Sequence, residues 1–349
     1  VMDAGASAPP EATLERSMNC IRHAVVSTTT RAAANGTLVP LGTRALDPGP
    51  TEQHPFLVFV MDRVEAKERA TVVADSPKSD PLLYHHEDML VGSLGPRRKL
   101  LLNRFPVTLH HVLVCAVDPE PQSTPLGLDD WAATAAAVHG LDGLGFFNFG
   151  LHSGHSQPHK HLQVVPLPAD PDARRQVYPL CDWWASQRPG SGVARAEKAD
   201  FQAAVGAIED AWWPSASALA LALAPGPAGG ATGREEGAGE VRESAATGGG
   251  GDDDDAAWPL LVDSLQPPWR ELGERLLGMF KECLDVLGVP YAEADDEGRV
   301  SYNVLFDRRT MIVVPRSAEF CGRIGPNAMG LAGSFLVKNA EDGEPVRRG

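Results

Sequence analysis

Residues 156–163, Ser-Gln-Pro-His-Lys-His-Leu-Gln, contain the side chains of this chain that are best suited to chemistry. His159, His161 and Gln163 are two residues apart, which is the side-chain period of a β-strand, so all three point to one face. An imidazole that is neutral near pH 7 can attack an electrophilic phosphorus and carry the group covalently. A neighbouring amide can donate to the oxygens on which charge develops. The spacing therefore favours group transfer at phosphorus.

A metal site is the first alternative, because a His-x-His pair on a strand is a common zinc arrangement. Gln163 argues against it, since Gln is a poor zinc ligand, and no Cys-x-x-Cys accompanies the pair. A pair of solvated strand histidines is the second alternative. It leaves unexplained Pro158 and the small-residue loop that lead into the strand. We expect no protein metal site.

Hydrophobic patterning predicts the elements that position this face. Strands are expected at 57–61, 99–102, 111–117, 145–149, 161–165, 300–306, 310–315 and 334–338. Helices are expected at 11–34, 129–139, 196–212 and 269–287. The sequence Asp307-Arg308-Arg309 predicts a hairpin connection, which makes its two strands antiparallel. Strands that follow one another without an intervening helix favour an α+β fold over a doubly wound parallel sheet.

One stretch lacks the large apolar residues that a core requires. Residues 225–256 are rich in Gly and Ala and end in four consecutive Asp, a composition that predicts a disordered insert. The remaining chain is long enough to bury a sizeable core. We therefore expect one catalytic domain formed by 11–224 and 257–340, with flexible ends at 1–10 and 341–349.

The motif at 156–163 resembles the signature of the diadenosine tetraphosphate phosphorylases, also called ATP adenylyltransferases, of the histidine-triad superfamily. Further segments resemble other parts of that family in the same order: 101–107, 110–114, 301–306, 311–316, 327–333 and 337–339. The resemblance implies a histidine-triad-like fold, in which helices pack on an antiparallel sheet.

The resemblance also implies roles for single residues. His161 matches the nucleophile, and Gln163 would donate to the α-phosphate. His159 would orient or donate to a phosphate oxygen, with a purely structural histidine as the alternative. The Nδ1 of His161 should donate to a backbone carbonyl, for which 300–306 or a neighbouring strand is the expected source. The implied substrate contacts are Lys67, Asn103, Arg104, Asn148, Gly154, Ser156, Gln157, Asn303, Met311 and Lys338.

Two of these positions have a specific alternative, and a third position, His155, departs from the family pattern. A solvated Lys67 and a core Met311 fit the sequence as well as substrate contacts do. His155 stands where the family usually has Ala, within a loop of small residues whose backbone N–H groups could approach phosphate oxygens.

The implied reaction is phosphorolysis of diadenosine tetraphosphate by inorganic phosphate to ATP and ADP through a nucleotidyl-histidine intermediate. ADP sulfurylase activity is expected from the same intermediate. The alternatives are a hexose-1-phosphate uridylyltransferase and a catalytically silent dinucleotide sensor. The partners are thus dinucleoside polyphosphate, ATP, ADP and phosphate. No tightly bound cofactor is expected, and any Mg²⁺ would ride on the polyphosphate.

Composition and charge argue against nucleic-acid-binding, membrane-spanning and secreted proteins. A net charge of −15 disfavours nucleic-acid binding, which depends on clusters of Lys and Arg. The longest apolar run is far shorter than the roughly 20 residues of a membrane span, and the start of the chain shows no secretory signal. Five scattered cysteines favour free thiols and a reducing, cytoplasmic location. Of these, Cys115 and Cys283 are expected to fill the core.

Overall fold

The computed structural model describes residues 20–46, 56–61, 80–175, 177–215, 217–219, 259–291, 300–320, 322 and 324–348. The described strands are β1 Thr43–Ala45, β2 Leu57–Met61, β3 Leu90–Leu94, β4 Arg98–Leu102, β5 Val112–Ala116, β6 Gly143–Phe149, β7 His161–Pro166, β8 Gly192–Arg195, β9 Ala204–Ala207, β10 Leu260–Val262, β11 Tyr302–Phe306, β12 Thr310–Pro315 and β13 Ser334–Val337. The described helices are α1 Cys20–Ala34, α2 Leu128–Leu141, α3 Pro171–Arg175, α4 Leu180–Ser186, α5 Trp269–Leu287, α6 Ala328–Leu331 and α7 Ala340–Arg348, with short 3₁₀ turns at Glu87–Met89 and Asp210–Trp212.

A ten-stranded sheet forms the body of the protein. Its strands lie in the order β10-β3-β4-β5-β7-β6-β11-β12-β9-β8, and every neighbouring pair is antiparallel except β10 with β3. A second sheet has the order β1-β2-β13. This confirms the α+β prediction of helices packed on a mostly antiparallel sheet. The hairpin predicted at 307–309 joins β11 to β12 as expected.

Side-chain alternation divides the large sheet into a helix-packed face and a second face, which we call the site face. On β6, Phe147 and Phe149 belong to the core under helices α2 and α5, whereas Leu144 and Phe146 belong to a separate apolar cluster on the site face. The apolar face predicted for α5 is buried in this same core under α2 and α5; it consists of Leu272, Leu276, Phe280, Cys283 and Leu287. Both faces of the central strands are thus covered.

Helix prediction fails at 196–212, where the structure contains strand β9 and a 3₁₀ turn. This segment is rich in alanine and looks helical in isolation, but its backbone pairs with β8 and β12. Gly206 allows the strand to approach helix α5, since a Cβ there would meet the Met279 sulfur at 2.6 Å. Tertiary pairing therefore overrides local propensity here.

The two ends of the chain differ in what the structure shows. The C-terminal stretch 341–349, expected to be flexible, instead carries helix α7, which packs against β2 and β13. The N-terminal stretch 1–10 and the insert 225–256 lie outside the described residues. The helix expected at 11–34 is described from Cys20 onward.

The described cysteines agree with the expectation of free thiols. Cys20, Cys115, Cys181 and Cys283 are unbridged. Cys115 and Cys283 are fully buried, as core fillers should be, and burial raises the pKa of each thiol to about 12. None of the described helices is both long and apolar enough to span a membrane.

Candidate active site

Strand β7 lies at the centre of the large sheet, between β5 and β6. Its even-numbered side chains Leu162 and Val164 enter the core beneath helix α2, while His161 and Gln163 are on the site face. The period-two prediction is therefore confirmed for the strand.

His161 is held with one ring nitrogen engaged and the other available. Its Nδ1 lies 2.8 Å from the backbone oxygen of His159, so Nδ1 must carry the proton and Nε2 the lone pair. The acceptor is in the same chain segment, not in 300–306 as the sequence suggested. Burial lowers the pKa of His161 to about 4, with His155 and His159 adding to the effect, so the ring is neutral at pH 7. Among the described residues Nε2 has no protein partner.

Gln122 fixes the backbone of His161. Its Oε1 accepts from the His161 N–H at 2.9 Å, and its Nε2 donates to the carbonyl oxygens of Asn148 and His161. The side chain is buried in the loop before α2 and bridges the ends of β6 and β7. Sequence inspection did not single it out, because the pattern around it is that of an ordinary loop.

His159 is bound on both sides by acceptors. Its Nδ1 lies 2.7 Å from Asp80 Oδ2, and its Nε2 lies 3.0 Å from the backbone oxygen of Ala116. Both ring nitrogens therefore face protein acceptors. Neither nitrogen remains for a phosphate oxygen, so of the two roles expected for His159 the structure favours the purely structural one.

Lys160, between the two histidines, points to the opposite side of the strand. Its Nζ contacts Glu120 at 2.7 Å and Asp130 at 2.8 Å, and Arg98 contacts the same two carboxylates at 3.1 and 2.7 Å. These four residues form the buried charge cluster. The cations beside Asp130 hold the pKa of its carboxyl below its usual range despite complete burial. The cluster anchors the start of β7 to the first turn of α2.

Gln163 lies one period further along the strand, where a cavity opens. Its Oε1 lies 3.0 Å from His111 Nε2, and the other nitrogen of His111 lies 3.2 Å from Asn103 Nδ2. Burial lowers the pKa of His111 to about 4. The predicted contact Asn103 is thus present at the cavity, with part of its amide used to hold His111.

Asn148 on β6 presents a second amide. Its Oδ1 accepts from the backbone N–H of Ala328 at 2.9 Å and from Asn303 Nδ2 at 2.8 Å. Asn303 also donates to Ser153 O at 2.9 Å and accepts from Arg316 at 2.7 Å. Asn303 is fully buried and all of its polar atoms have protein partners. It therefore positions Asn148 and does not reach the cavity, contrary to the role expected for it.

The loop between β6 and β7 turns through two glycines with positive φ, Gly150 and Gly154. At Gly150 a side chain would collide with the carbonyl oxygen of Val300. Ser153 donates to Gly150 O at 2.8 Å, and the ring of His155 lies 3.2 Å from the same oxygen. His155 thus braces the loop from within.

A cavity of about 550 Å³ lies between the site face and the three-stranded second sheet, β1-β2-β13. Its polar end contains Asn103, His111, Asn148, Gly154, Ser156 and Gln163. Its other walls are mainly apolar, among them Leu41, Phe59, Phe105, Val177, Met329 and Phe335. Such a combination of apolar walls and a few convergent donors is typical of a small-molecule site.

Other expected contacts are not among the residues that line this cavity. Met311 is fully buried in the core, because on β12 the residues Ile312 and Val314 face the site and Met311 has the opposite parity. Arg104 is exposed and lies over the Phe105 ring, while Gln157 and Lys338 do not line the cavity. Lys67 lies outside the described residues. Met329, quoted in the resemblance but given no role, does line the cavity.

Within the described ranges no group of three or more His, Cys, Asp or Glu side chains could hold a metal ion. The polar end of the cavity is built from amides, hydroxyls and neutral imidazole. These groups suit an anionic ligand held by hydrogen bonds.

Comparison with known proteins identifies the family. A family model described as the Ap4A phosphorylase N-terminal domain matches residues 11–182, and one described as the ATP adenylyltransferase C-terminal domain matches residues 258–348. Two Saccharomyces cerevisiae proteins are similar in sequence: diadenosine 5',5'''-P1,P4-tetraphosphate phosphorylase 2 is 32% identical over 136 residues, and Protein APA1 is 31% identical over 133. These alignments cover 35% and 34% of this chain, and 41% and 40% of the yeast proteins.

Solved structures agree on the fold. Yeast Ap4A phosphorylase Apa2 in complex with AMP matches with a TM-score of 0.62 at 20% identity, over 95% of this chain and 92% of Apa2. Its complex with Ap4A gives 0.59 at 20% identity, over 94% and 92%. Cavity walls come from both matched segments, since Gln163 lies in the first and Phe335 in the second. This chain belongs to the Ap4A phosphorylase family.

Proposed function

We propose that this protein phosphorolyses diadenosine tetraphosphate, using inorganic phosphate to release ATP and ADP through a nucleotidyl group on His161. The supporting observation is the state of that imidazole. It is neutral, its Nδ1–H is donated to the His159 carbonyl, and its Nε2 is unpartnered among the described residues. A neutral imidazole with a fixed tautomer is a competent nucleophile toward phosphorus.

In the first step the Nε2 lone pair attacks the α-phosphorus. An N–P bond forms, the bond from that phosphorus to the bridging oxygen breaks, and ATP departs with the electron pair. The Nδ1–H stays on the ring and the His159 carbonyl stabilises the positive charge that develops there. In the second step a phosphate oxygen attacks the same phosphorus, the N–P bond breaks, and ADP is released. Atoms and charges balance with no further reactant.

The cavity would hold the transferred nucleotide. Its apolar walls suit a purine and ribose, and the amides of Asn148 and Gln163 at its polar end suit the oxygens of the α-phosphate. A sulfate ion could replace phosphate in the second step, which would give the expected ADP sulfurylase activity when ADP is the donor. Mg²⁺ would enter only on the polyphosphate. The free thiols suit a cytoplasmic setting.

The test is product analysis with and without phosphate. Diadenosine tetraphosphate plus phosphate should give equal amounts of ATP and ADP. Without phosphate, a single burst of ATP should appear together with an adenylyl group that is labile in acid and that mass spectrometry places on His161. Formation of AMP, or turnover that does not depend on phosphate, would refute the proposal. Labelled UDP-glucose tests the uridylyltransferase alternative, which predicts a uridylyl adduct. Binding of the dinucleotide without turnover would indicate the silent sensor.

A further inference from the structure

The Gln163 amide lies at the end of a chain of hydrogen bonds whose direction is set by the backbone. Asn103 Oδ1 accepts from the N–H of Phe105 at 3.0 Å, and a backbone N–H can only donate. This contact fixes which end of the Asn103 amide is oxygen. Its Nδ2 must then face His111 Nδ1, 3.2 Å away, as a donor.

The remaining polarities follow in sequence. Because Nδ1 of His111 accepts, the proton of the neutral ring is on Nε2. That Nε2–H faces Gln163 at 3.0 Å, so Gln163 must present Oε1 to it. The NH₂ group of Gln163 is thereby turned away from His111. It has no protein partner among the described residues, and Gln163 lines the cavity.

We propose that His111 is a positioning residue, which holds the Gln163 amide with its two N–H donors toward the α-phosphate. The proposal rests on the proposed function, because that reaction places a phosphate at this end of the cavity. Without the constraint, the amide could rotate by 180° and present Oε1 to the phosphate oxygens, which would repel it.

The surroundings of His111 favour a single state of the ring. It lies at the polar end of the cavity with the Phe146 ring at a centroid distance of 6.0 Å. Desolvation lowers its pKa to about 4, so the ring stays neutral at pH 7. A doubly protonated ring would place a donor against Asn103 Nδ2 and break the chain of hydrogen bonds.

Two substitutions of similar size separate positioning from packing. The side-chain nitrogen of Gln overlays Nε2 of His and can still donate to Gln163, whereas that of Asn overlays Nδ1 and cannot reach. We expect His111→Asn to lower kcat by about tenfold, the equivalent of losing one modest hydrogen bond of about 1.4 kcal/mol, with KM nearly unchanged. His111→Gln should restore most of kcat.

A double-mutant cycle tests whether the effect passes through Gln163. In a Gln163→Ala background, His111→Asn should lower kcat no further. An equal tenfold loss in both backgrounds, or equal losses in His111→Asn and His111→Gln, would overturn the proposal. The rate of ATP release in a single-turnover burst should follow kcat, because the amide acts on the phosphorus transfer.

Nuclear magnetic resonance gives a readout that does not depend on activity. With ¹⁵N-labelled histidine, His111 should show a proton on Nε2 and an unprotonated Nδ1. The opposite tautomer would overturn the hydrogen-bond polarity and with it the proposal. If the parent protein forms no adduct and no products, the proposed function fails, and the tautomer still decides whether Gln163 is oriented as described.

Discussion

The segment 159–163, which leads into strand β7, uses its polar groups differently at its two ends. At the start, both ring nitrogens of His159 contact protein acceptors, one of them Asp80. The ammonium of Lys160 contacts Glu120 and Asp130. At the other end, Gln163 keeps its NH₂ group available at the cavity. His161 lies between them, with one nitrogen engaged and one available.

This difference shows how a reactive group is held rigid without being blocked. Charges that are buried and paired fix the strand at one end, where no substrate is needed. Neutral amides and imidazoles occupy the other end. A carboxylate there would repel a polyphosphate. Segment 159–163 therefore has an anchored end at His159 and Lys160 and a presenting end at Gln163. Substitutions at the anchored end should mainly change stability, and those at the presenting end should mainly change catalysis.

The largest expected effect is at His161. Replacing it by Asn removes the nucleophilic nitrogen and should lower turnover by on the order of 10⁴-fold or more, with no adduct. His159→Asn should still form the adduct, with turnover within about 10²-fold of the parent, because His161 is held by the backbone carbonyl of His159, which every variant retains. Mass spectrometry after burst labelling measures both. An adduct on His159 would reverse the assignment.

The next effect is on stability, at the anchored end. Asp130→Ala should lower the free energy of unfolding by about 3–5 kcal/mol, since it leaves Lys160 and Arg98 buried with one carboxylate between them. The matched control is Arg97→Ala, which breaks the partly exposed pair with Asp129 and should cost at most about 1 kcal/mol. Urea unfolding measures both. Equal losses would show that burial of the cluster is not what anchors the strand.

At the presenting end, Gln163→Ala should lower kcat by on the order of 10²-fold, as expected for one donor to a developing charge. Its urea midpoint should stay close to that of the parent, because the amide lines a cavity. Steady-state kinetics and unfolding on the same preparation give both values. Unchanged kcat in folded protein would remove Gln163 from the mechanism.

Acid should lower the free energy of unfolding, partly through the buried histidines of the site. Three buried rings have pKa values lowered from 6.5 to about 4: His111, His139 and His161. As the pH falls, these rings become protonated in the unfolded chain before they do in the folded protein. Stability should therefore fall as the pH drops from 6.5 to 4, by up to about 1.4 kcal/mol per pH unit for each ring. His111→Gln removes one titrating group and should reduce that slope. An unchanged slope in urea unfolding between pH 6.5 and 4.5 would contradict the shift at His111.

The smallest effect on turnover is expected from the Gly- and Ala-rich insert, which belongs to neither end of segment 159–163. Deleting residues 225–256 should leave turnover within a few-fold of the parent, because their composition offers no apolar surface to a core. The kinetics of the shortened chain, compared with those of the full chain, measure this. Loss of folding on deletion would show that the segment contributes to the structure.

The sequence was informative where one local pattern decides the outcome. The strands β6, β11 and β12 were predicted because their apolar runs are long enough to be buried on both faces, and β7 was predicted from its side-chain period of two. The shared face of His161 and Gln163 follows from the same period. Short strands such as β9 were missed because their pairing is determined by partners distant in sequence.

Roles within the site were harder to predict, for a related reason. Asn303 was expected to contact the substrate, and only the contacts from Arg316 and to Asn148 show that it supports another amide instead. His111 was noticed as part of a strand, and its function depends on Asn103 and Gln163, which come from two other segments. Parity would have excluded Met311, once the face of β12 was known.

The place of strand β11 in the sheet has a consequence for biogenesis. It pairs with β6, and the contact between Asn148 and Asn303 joins positions 155 residues apart. During synthesis one edge of β6 therefore stays unpaired until residues 302–306 of β11 have been made, a long exposure for a strand of six apolar or small residues and one Asn. Such high contact order slows folding and favours aggregation of the nascent chain. Ribosome-bound truncations that end before residue 302 should accordingly recruit chaperones that shield open sheet edges.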